Sequence, residues 1–328
     1  MSMLARSLVF LLLLPVLGWC ALVLGYTIPG PPLAGKLLAG GAVVVGLLGF
    51  RVLGSFARGC ALVAAIFAAV LLWYLSLEPP QEAHWQPDVA RLPRATLVGD
   101  QLTIENVRDF DYRSETDYTP RWETRTYDLS KLDGVDMFFS HWSGPAIAHT
   151  IVSWSFSDGQ HLAISIETRK VVGQEYSAVA GFFRQYPIYY VVADERDVVR
   201  LRTNYRGEHV WMYRVKPARP GAARAFLLDY LASVNALAER PAWYNALTDN
   251  CTTTIHQHAR HLNPGANPFD WRLLANGYLP ELLYEQGRLE SSLPFDELER
   301  RSRIDARAKA ADQDPDFSAR IRAVETGN

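Results

Sequence analysis

A histidine and a glutamate, His149 and Glu167, are brought together by a predicted β-hairpin. Residues 147–170 read IAHTIVSWSFSDGQHLAISIETRK, and large apolar residues alternate on both sides of Ser157-Asp158-Gly159. Alternation with a period of two is typical of strands. A carboxylate beside an imidazole fixes its tautomer and raises its pKa, as the third member of a catalytic triad does. The hairpin therefore predicts a histidine suited to acid–base chemistry.

The apolar residues also predict the register of this hairpin. Two alternating sets must face one core: Val152, Trp154 and Phe156 on the first strand, and Leu162, Ile164 and Ile166 on the second. Paired residues then have numbers of equal parity. A three-residue loop pairs Phe156 with Gln160 and requires Gly159 in the left-handed conformation. Counting back from the loop places His149 opposite Glu167, whereas a two-residue Asp-Gly turn would put them on opposite faces.

The more polar face of the hairpin allows two interpretations. His149 and Glu167 share it with Ser153, Ser155 and Ser165. One interpretation is a catalytic pair. The other is a half-exposed hairpin on which the two residues make only a surface contact of small energy. The local pattern leaves both open.

Cys251 is the only cysteine that follows the apolar N-terminal quarter, and it lies in YNALTDNCTTTIHQHARHL. Asp249 or Asn250 can cap a helix that begins here, which places the sulfur in the first turn. Backbone N–H groups and the helix dipole lower a thiol pKa at that position, and a nearby histidine lowers it further. Cys251 is therefore a candidate nucleophile, with a buried and unreactive cysteine as the alternative.

Three histidines, His256, His258 and His261, follow on the same predicted helix. Residues 256 and 258 point about 200° apart on a helix, so only 258 and 261 share a face. No acid or second cysteine in this stretch completes a tetrahedral zinc set. We therefore expect no metal site and no other cofactor.

The chain that carries these residues has two unlike parts. It has 328 residues and a formal net charge of -2, but the first 77 residues hold only four basic side chains and no acidic one. The remainder holds 29 basic and 35 acidic side chains, a net charge of about -6. Nucleic acid is not an expected partner, because a phosphate-binding surface needs excess positive charge. One cysteine in the second part excludes a disulfide within it.

Three apolar stretches in the first part predict membrane-spanning helices. They run from Leu8 to about Tyr26, from about Leu33 to Phe50, and from Cys60 to Leu77. Each approaches the roughly 20 residues that cross about 30 Å of hydrocarbon. A cleaved secretory signal has one short apolar region, so three in succession do not fit it.

Positive charges indicate the orientation of these spans. Arg6 precedes the first span, and Arg51 and Arg58 lie between the second and third, so both segments should be cytoplasmic. An odd number of spans then places the chain from residue 79 onward on the other side. We expect a multi-pass protein of the bacterial inner (cytoplasmic) membrane, with its C-terminal domain in the periplasm.

The part outside the membrane predicts an α+β domain built on an antiparallel sheet. Strand-like runs are Thr96–Val107, Arg121–Leu129, Val135–Ser140, Ile147–Phe156, Leu162–Thr168, Ile188–Val192 and Val210–Val215. Helical patterns are Glu175–Tyr186, Glu195–Asn204, Ala222–Ala238 and the stretch after Asn250. The strands come first and no βαβ alternation follows.

The predicted organisation has four parts. Residues 1–78 form the anchor with three transmembrane helices, 79–95 a proline-rich linker, and 96–295 the extracytoplasmic domain. Residues 296–328 are highly charged with little apolar material, and predict a surface helix followed by a disordered tail.

Several motifs resemble one bacterial family. These are a His-Thr pair on a strand, Ser-x-Glu-x-Arg on the next strand, Asp-Glu-Arg-Asp opening a helix, and Asn-Cys-Thr-Thr at a helix start. Over roughly residues 120–265 the chain is similar to the Lnb N-terminal periplasmic domain family, which in turn resembles circularly permuted papain-like thiol enzymes. The resemblance implies a papain-like fold, Cys251 as nucleophile and His149 as base. Neighbours in these motifs, Asn250, Thr252 and Arg169, are expected to bind substrate.

The resemblance also implies N-acylation of bacterial lipoproteins. We therefore expect a membrane-anchored cysteine acyltransferase or hydrolase that forms a thioacyl-enzyme, with Glu167 orienting His149. The expected partners are the lipid bilayer, a phospholipid donor and lipoprotein substrates. A cell-envelope cysteine peptidase or amidase, and a non-catalytic envelope module, remain the alternatives.

Overall fold

The structure, a computed structural model, describes residues 2–262 and 270–323. The chain forms two compact units. The first, here called the membrane unit, contains Met1–Pro80, Glu175–Pro187 and Ala242–Ala246. The second, the sheet unit, contains Gln81–Gln174, Ile188–Pro241 and Leu247–Asn328.

Three helices form most of the membrane unit: α1 (Met3–Thr27), α2 (Pro32–Val52) and α3 (Phe56–Ser76). All three are long and apolar enough to cross a membrane, as the sequence predicts. Glycine allows α1 and α2 to approach closely, because a Cβ at Gly35 would lie 2.9 Å from the carbonyl oxygen of Leu24. Small residues at such crossings are typical of membrane helices, where packing rather than the hydrophobic effect joins the helices.

The segment Glu175–Pro187 belongs to this unit, and its predicted helix is wrong. It contains only a 3-10 turn at Ala180–Phe182. Phe183 is buried and packs with side chains of α1 and α3, including Val23 and Val70. Arg184 donates hydrogen bonds to the carbonyls of Tyr74 at 2.6 Å and Leu77 at 3.0 Å. These contacts to the end of α3 take the place of a continuous helix.

An eight-stranded sheet forms the centre of the sheet unit. The strands of the chain are β1 (Arg94–Val98), β2 (Gln101–Arg108), β3 (Asp111–Tyr112), β4 (Tyr118–Thr119), β5 (Trp122–Asp128), β6 (Leu132–His141), β7 (Ala148–Phe156), β8 (His161–Thr168), β9 (Ile188–Ala193) and β10 (His209–Val215). Their order is β1-β2-β9-β8-β7-β6-β10, with β5 on β2, and β3 and β4 form a separate pair. The predicted α+β class is confirmed, but the sheet is mixed because β2 and β9 run parallel.

Helices cover both faces of this sheet. They are α4 (Glu195–Arg200), which continues into a π-helical turn (Leu201–Tyr205), α5 (Ala222–Glu239), α6 (Cys251–Leu262), α7 (Leu279–Glu285), α8 (Phe295–Ser302), α9 (Asp305–Ala310) and α10 (Phe317–Arg322). Tyr189 and Val191 share a core with α4, α9 and α10, whereas Tyr190 stacks edge-on against Tyr230 of α5. Alternation along β9 thus separates the two faces.

The C-terminal segment is not the disordered tail that its composition predicts. Ile304, Ala308, Phe317 and Ile321 are fully buried against the sheet. Arg322 donates to Asp136 and Glu195, both buried, at 2.7 Å each. The few apolar residues are spaced so that each short helix buries one or two of them, a pattern that overall composition does not reveal. The last five residues lie outside the described part.

Candidate functional site

The hairpin of β7 and β8 has the predicted register. Val152 pairs with Ile164 and Trp154 with Leu162. At the loop, the Phe156 N–H donates to the Gln160 carbonyl at 3.0 Å, and Gly159 has a φ of 88°. The parity of the apolar residues was therefore sufficient to place His149 opposite Glu167.

His149 and Glu167 are in direct contact. The Nε2 atom of His149 lies 3.1 Å from Oε1 of Glu167 and 2.7 Å from the hydroxyl oxygen of Ser165. Ser165 donates in turn to the same carboxylate oxygen at 2.8 Å. Because Nε2 faces these two groups, Nδ1 is the ring nitrogen that a nucleophile can use.

The polar face of the hairpin is largely buried, and the Glu167 side chain, which is 32% exposed, keeps partial contact with solvent. His149 is only 8% exposed. Ser153 donates to Glu195 at 2.6 Å, and Ser155 accepts from Arg214 at 2.8 Å. The serines that made this face look half-exposed are instead hydrogen-bonded to charged groups of other elements.

Arg202, which the sequence analysis did not single out, extends the His–Glu pair. It lies on the π-helical turn and donates to Oε1 of Glu167 at 2.9 Å and to Oε2 of Glu208 at 3.0 Å. Ser140 donates to the same Glu208 oxygen. The charged hydrogen bond from the guanidinium fixes the position of the Glu167 carboxylate. The π-helical turn that carries Arg202 is itself a feature that often occurs at functional sites.

Cys251 is the first residue of α6, as predicted. The side-chain oxygen of Asn250 accepts hydrogen bonds from the N–H groups of Thr252 and Thr253, each at 2.9 Å, and the Asn250 N–H donates to the Thr253 hydroxyl at 3.0 Å. This reciprocal cap fixes the start of the helix and the place of the sulfur. The side-chain oxygen of Asn250, a predicted binding group, thus caps helix α6.

The thiol of Cys251 reaches His149 and the backbone of Thr150. Burial raises the pKa of the Cys251 thiol, but the charge of His149 and hydrogen bonds from His149 and Thr150 lower it more, so the pKa falls below its ordinary value of 9.0. Residues that are 102 positions apart in sequence therefore meet at the end of β7.

The same interactions act on the imidazole. Burial and the nearby Arg202 lower the pKa of His149, whereas Glu167 and Cys251 raise it more, to about 9. Both shifts favour the charged form of each group, an imidazolium beside a thiolate, more than in the isolated side chains.

Asn276, a second residue that the sequence analysis missed, joins the strand to the helix. Its side chain accepts from the Ala148 N–H at 2.8 Å and donates to the Ala148 carbonyl and to the Thr252 hydroxyl, each at 2.5 Å. Ala148 and Thr252 immediately adjoin His149 and Cys251 in sequence. The predicted binding residue Thr252 is 2% exposed and takes part in this bridge.

Arg169 is not brought to this site. It is buried, its guanidinium lies 4.2 Å from the ring centre of Trp85, and it donates to the carbonyls of Val89 and Ala90 at 3.1 and 3.0 Å. It therefore anchors the segment that the sequence predicts as a linker. The arginine of the Ser-x-Glu-x-Arg motif is therefore explained by these contacts with residues 85–90.

Comparisons with known proteins identify the domain that contains this site. Residues 118–277 match the family model described as the Lnb N-terminal periplasmic domain. No curated protein and no solved structure matches the chain. The matched segment includes His149, Glu167 and Cys251, and the three apolar helices precede it. Residues 118–277 of this chain thus match the Lnb N-terminal periplasmic domain family, and three helices long and apolar enough to cross a membrane precede them.

Proposed function

We propose that this protein is a cysteine acyltransferase or hydrolase that transfers an acyl group from a phospholipid ester through a thioacyl-enzyme. The observation that carries the proposal is the contact between the Cys251 thiol and His149, which is itself paired with Glu167. A buried imidazole between a thiol and a carboxylate is the arrangement that activates a thiol nucleophile. A non-catalytic module would have no need of it.

In the first half-reaction, the Cys251 thiolate attacks the ester carbonyl carbon. The carbonyl oxygen becomes an oxyanion, to which the Cys251 N–H at the start of α6 would donate. When the C–O bond of the ester breaks, the His149 imidazolium gives its proton to the departing alcohol. The products are a thioester on Cys251 and a lysophospholipid.

In the second half-reaction, neutral His149 takes a proton from the acceptor as that acceptor attacks the thioester carbonyl. The C–S bond then breaks, and the thiolate is regenerated beside the imidazolium. An amine acceptor, such as the N-terminus of a lipoprotein, yields an amide, whereas water yields a free fatty acid. Glu167 stabilises the imidazolium at both stages.

A lipid donor is favoured over a cell-wall peptide by apolar side chains beside the site. Trp142 and Ile147 precede β7 and are 55% and 43% exposed, and Trp271 and Leu274 precede Asn276 and are 61% and 65% exposed. The two segments meet where the Gly277 N–H donates to the Ala146 carbonyl at 3.0 Å. Such a concentration of exposed apolar residues is typical of a surface that binds an apolar partner, here an acyl chain.

The proposed setting is the periplasmic face of the inner membrane. Arg6, Arg51 and Arg58 would lie on the cytoplasmic side, and three crossings would place the domain on the other. In the membrane unit, Trp73 donates to Thr27 at the ends of α3 and α1, at the level where aromatic residues favour the membrane interface. Phospholipid headgroups are abundant at that surface.

The proposal is tested by incubating the purified full-length protein with phospholipid vesicles and, separately, with cell-wall peptide. We expect lysophospholipid to accumulate, and Cys251→Ala to abolish its release. Cys60→Ala is the matched control, because Cys60 lies in α3, and it should retain activity. Cleavage of the peptide with no lysophospholipid would instead establish a peptidase or amidase that uses the same residues.

A further inference from the structure

A second cluster of histidine and carboxylate side chains lies in the sheet unit, on α5 and α6. Asp229 of α5 faces His258 and His261 of α6. Its Oδ2 atom lies 2.5 Å from Nδ1 of His258 and 3.2 Å from Nδ1 of His261. One ligand atom from each of the three residues lies within 4.8 Å of the other two. The helix spacing brings 258 and 261 to one face, and α5 supplies the acid that the sequence of α6 lacks.

The surroundings of His258 match those of a metal-bound histidine. Its Nε2 atom lies 2.7 Å from the hydroxyl oxygen of Tyr190, and its ring stacks on Tyr230 at 4.1 Å between ring centres. A ligating imidazole normally donates its second N–H to such a partner, which fixes the tautomer. The Tyr190 hydroxyl oxygen lies where it can accept that N–H from His258.

The cluster is also open to an ion. The His258 side chain is buried, whereas that of His261 is 67% exposed and Asp229 lies between these extremes at 28%. An ion can therefore enter from the side of His261, and a water molecule can complete the set. Two imidazoles and one carboxylate with an open fourth position form a known zinc-binding set.

We propose that Asp229, His258 and His261 bind one Zn²⁺ ion between α5 and α6, with water as the fourth ligand. On binding, His258 changes to its neutral Nε2–H tautomer: Nδ1 gives its proton to water and binds the ion, Nε2 takes a proton from water, and the Nε2–H donates to Tyr190. The ion would link α5 to the helix that carries Cys251 without taking part in the thiol chemistry. This inference is independent of the proposed acyl transfer.

The test uses the full-length protein carrying Cys251→Ala, so that the thiol cannot bind zinc. After treatment with a chelator and dialysis, the protein is titrated with Zn²⁺ in competition with a chromophoric indicator. We expect one equivalent to bind. His261→Ala and Asp229→Asn should each weaken binding at least about tenfold, and Tyr190→Phe should weaken it about tenfold through the lost hydrogen bond to Nε2 of His258.

The matched control is His256→Ala, which removes a histidine from the same helix outside the cluster and should leave the zinc affinity unchanged. His261 is exposed, so its replacement should leave the fold intact, and the melting temperature without zinc verifies this. Absence of stoichiometric zinc binding would overturn the proposal. So would a zinc affinity in His261→Ala and Asp229→Asn equal to that of the parent protein. The cluster would then be a hydrogen-bonded network only.

Discussion

His149 and Glu167 face each other across β7 and β8, with 3.1 Å between Nε2 and Oε1. Burial opposes the charge of the carboxylate, but His149 and Arg202 hold the pKa of Glu167 well below its usual range. Glu167 is therefore ionised at neutral pH. Its charge is available to stabilise an imidazolium at His149.

The reactivity of Cys251 should depend on His149. In a protein whose two membrane-helix cysteines are replaced by alanine, the rate of alkylation by iodoacetamide should follow a pKa below that of an ordinary thiol. His149→Ala should raise this pKa, because burial then acts on the thiol without compensation from the imidazolium. His256→Ala serves as control. An unchanged pH profile in His149→Ala would mean that the two groups are not coupled.

Glu167→Gln should reduce turnover less than His149→Ala does. The amide keeps a hydrogen-bond acceptor near Nε2 but loses the charge, so the pKa of His149 should fall from about 9. We expect a loss of about 10-fold to 100-fold, against about 100-fold to 10,000-fold for removal of the base. The pH–rate profile should narrow on its alkaline side. Glu105→Gln, an exposed change on β2, should leave both rate and profile unaltered.

Arg322→Ala should destabilise the sheet unit. Its guanidinium pairs with Asp136 and Glu195, and removing one partner of a buried ion pair costs about 3–5 kcal/mol. Burial raises the pKa of Glu195, but Arg322 lowers it more, from the ordinary 4.5 to about 2. The associated stability is therefore present above about pH 4.5 and is lost as the pH falls toward 2.

Chemical unfolding followed by tryptophan fluorescence at pH 7 and pH 3 measures this effect. Arg320→Ala is the control, since Arg320 makes an exposed pair with Asp314 that is worth about 0–1 kcal/mol. Equal destabilisation by the two changes would show that the buried ion pairs contribute nothing specific.

A reporter that is active only in the cytoplasm, fused at Asn328, should be inactive. Three spans with Arg6, Arg51 and Arg58 inside leave the C-terminal domain outside the cytoplasm. A reporter active only in the periplasm should give the opposite result at the same position. Strong cytoplasmic activity would contradict the proposed orientation.

Features that depend on local periodicity could be predicted from the sequence. Parity in the hairpin sets the pairing of His149 with Glu167, and Asn250 before Cys251 marks the start of α6. The three spans follow from the length of apolar runs. Each of these features is determined by residues within about two dozen positions of one another.

Features that depend on distant contacts could not be predicted in this way. Arg202 and Asn276 reach the site from other elements, and nothing in their local sequence indicates it. The segment Glu175–Pro187 has a helical pattern but packs on the membrane helices through Phe183 and Arg184. Tertiary contacts there outweigh helix propensity, which is worth only tenths of a kcal/mol per residue.

The central claim, a thioacyl intermediate on Cys251, is tested most directly by the intact mass of the protein after incubation with phospholipid in the absence of an amine acceptor. We predict a gain of one acyl group, located on the peptide that contains Cys251 and removed by neutral hydroxylamine. Cys60→Ala should show the same gain, and His149→Ala should show little. An unmodified Cys251 with no release of fatty acid, or an equal gain in mass in Cys251→Ala, would contradict the proposed mechanism.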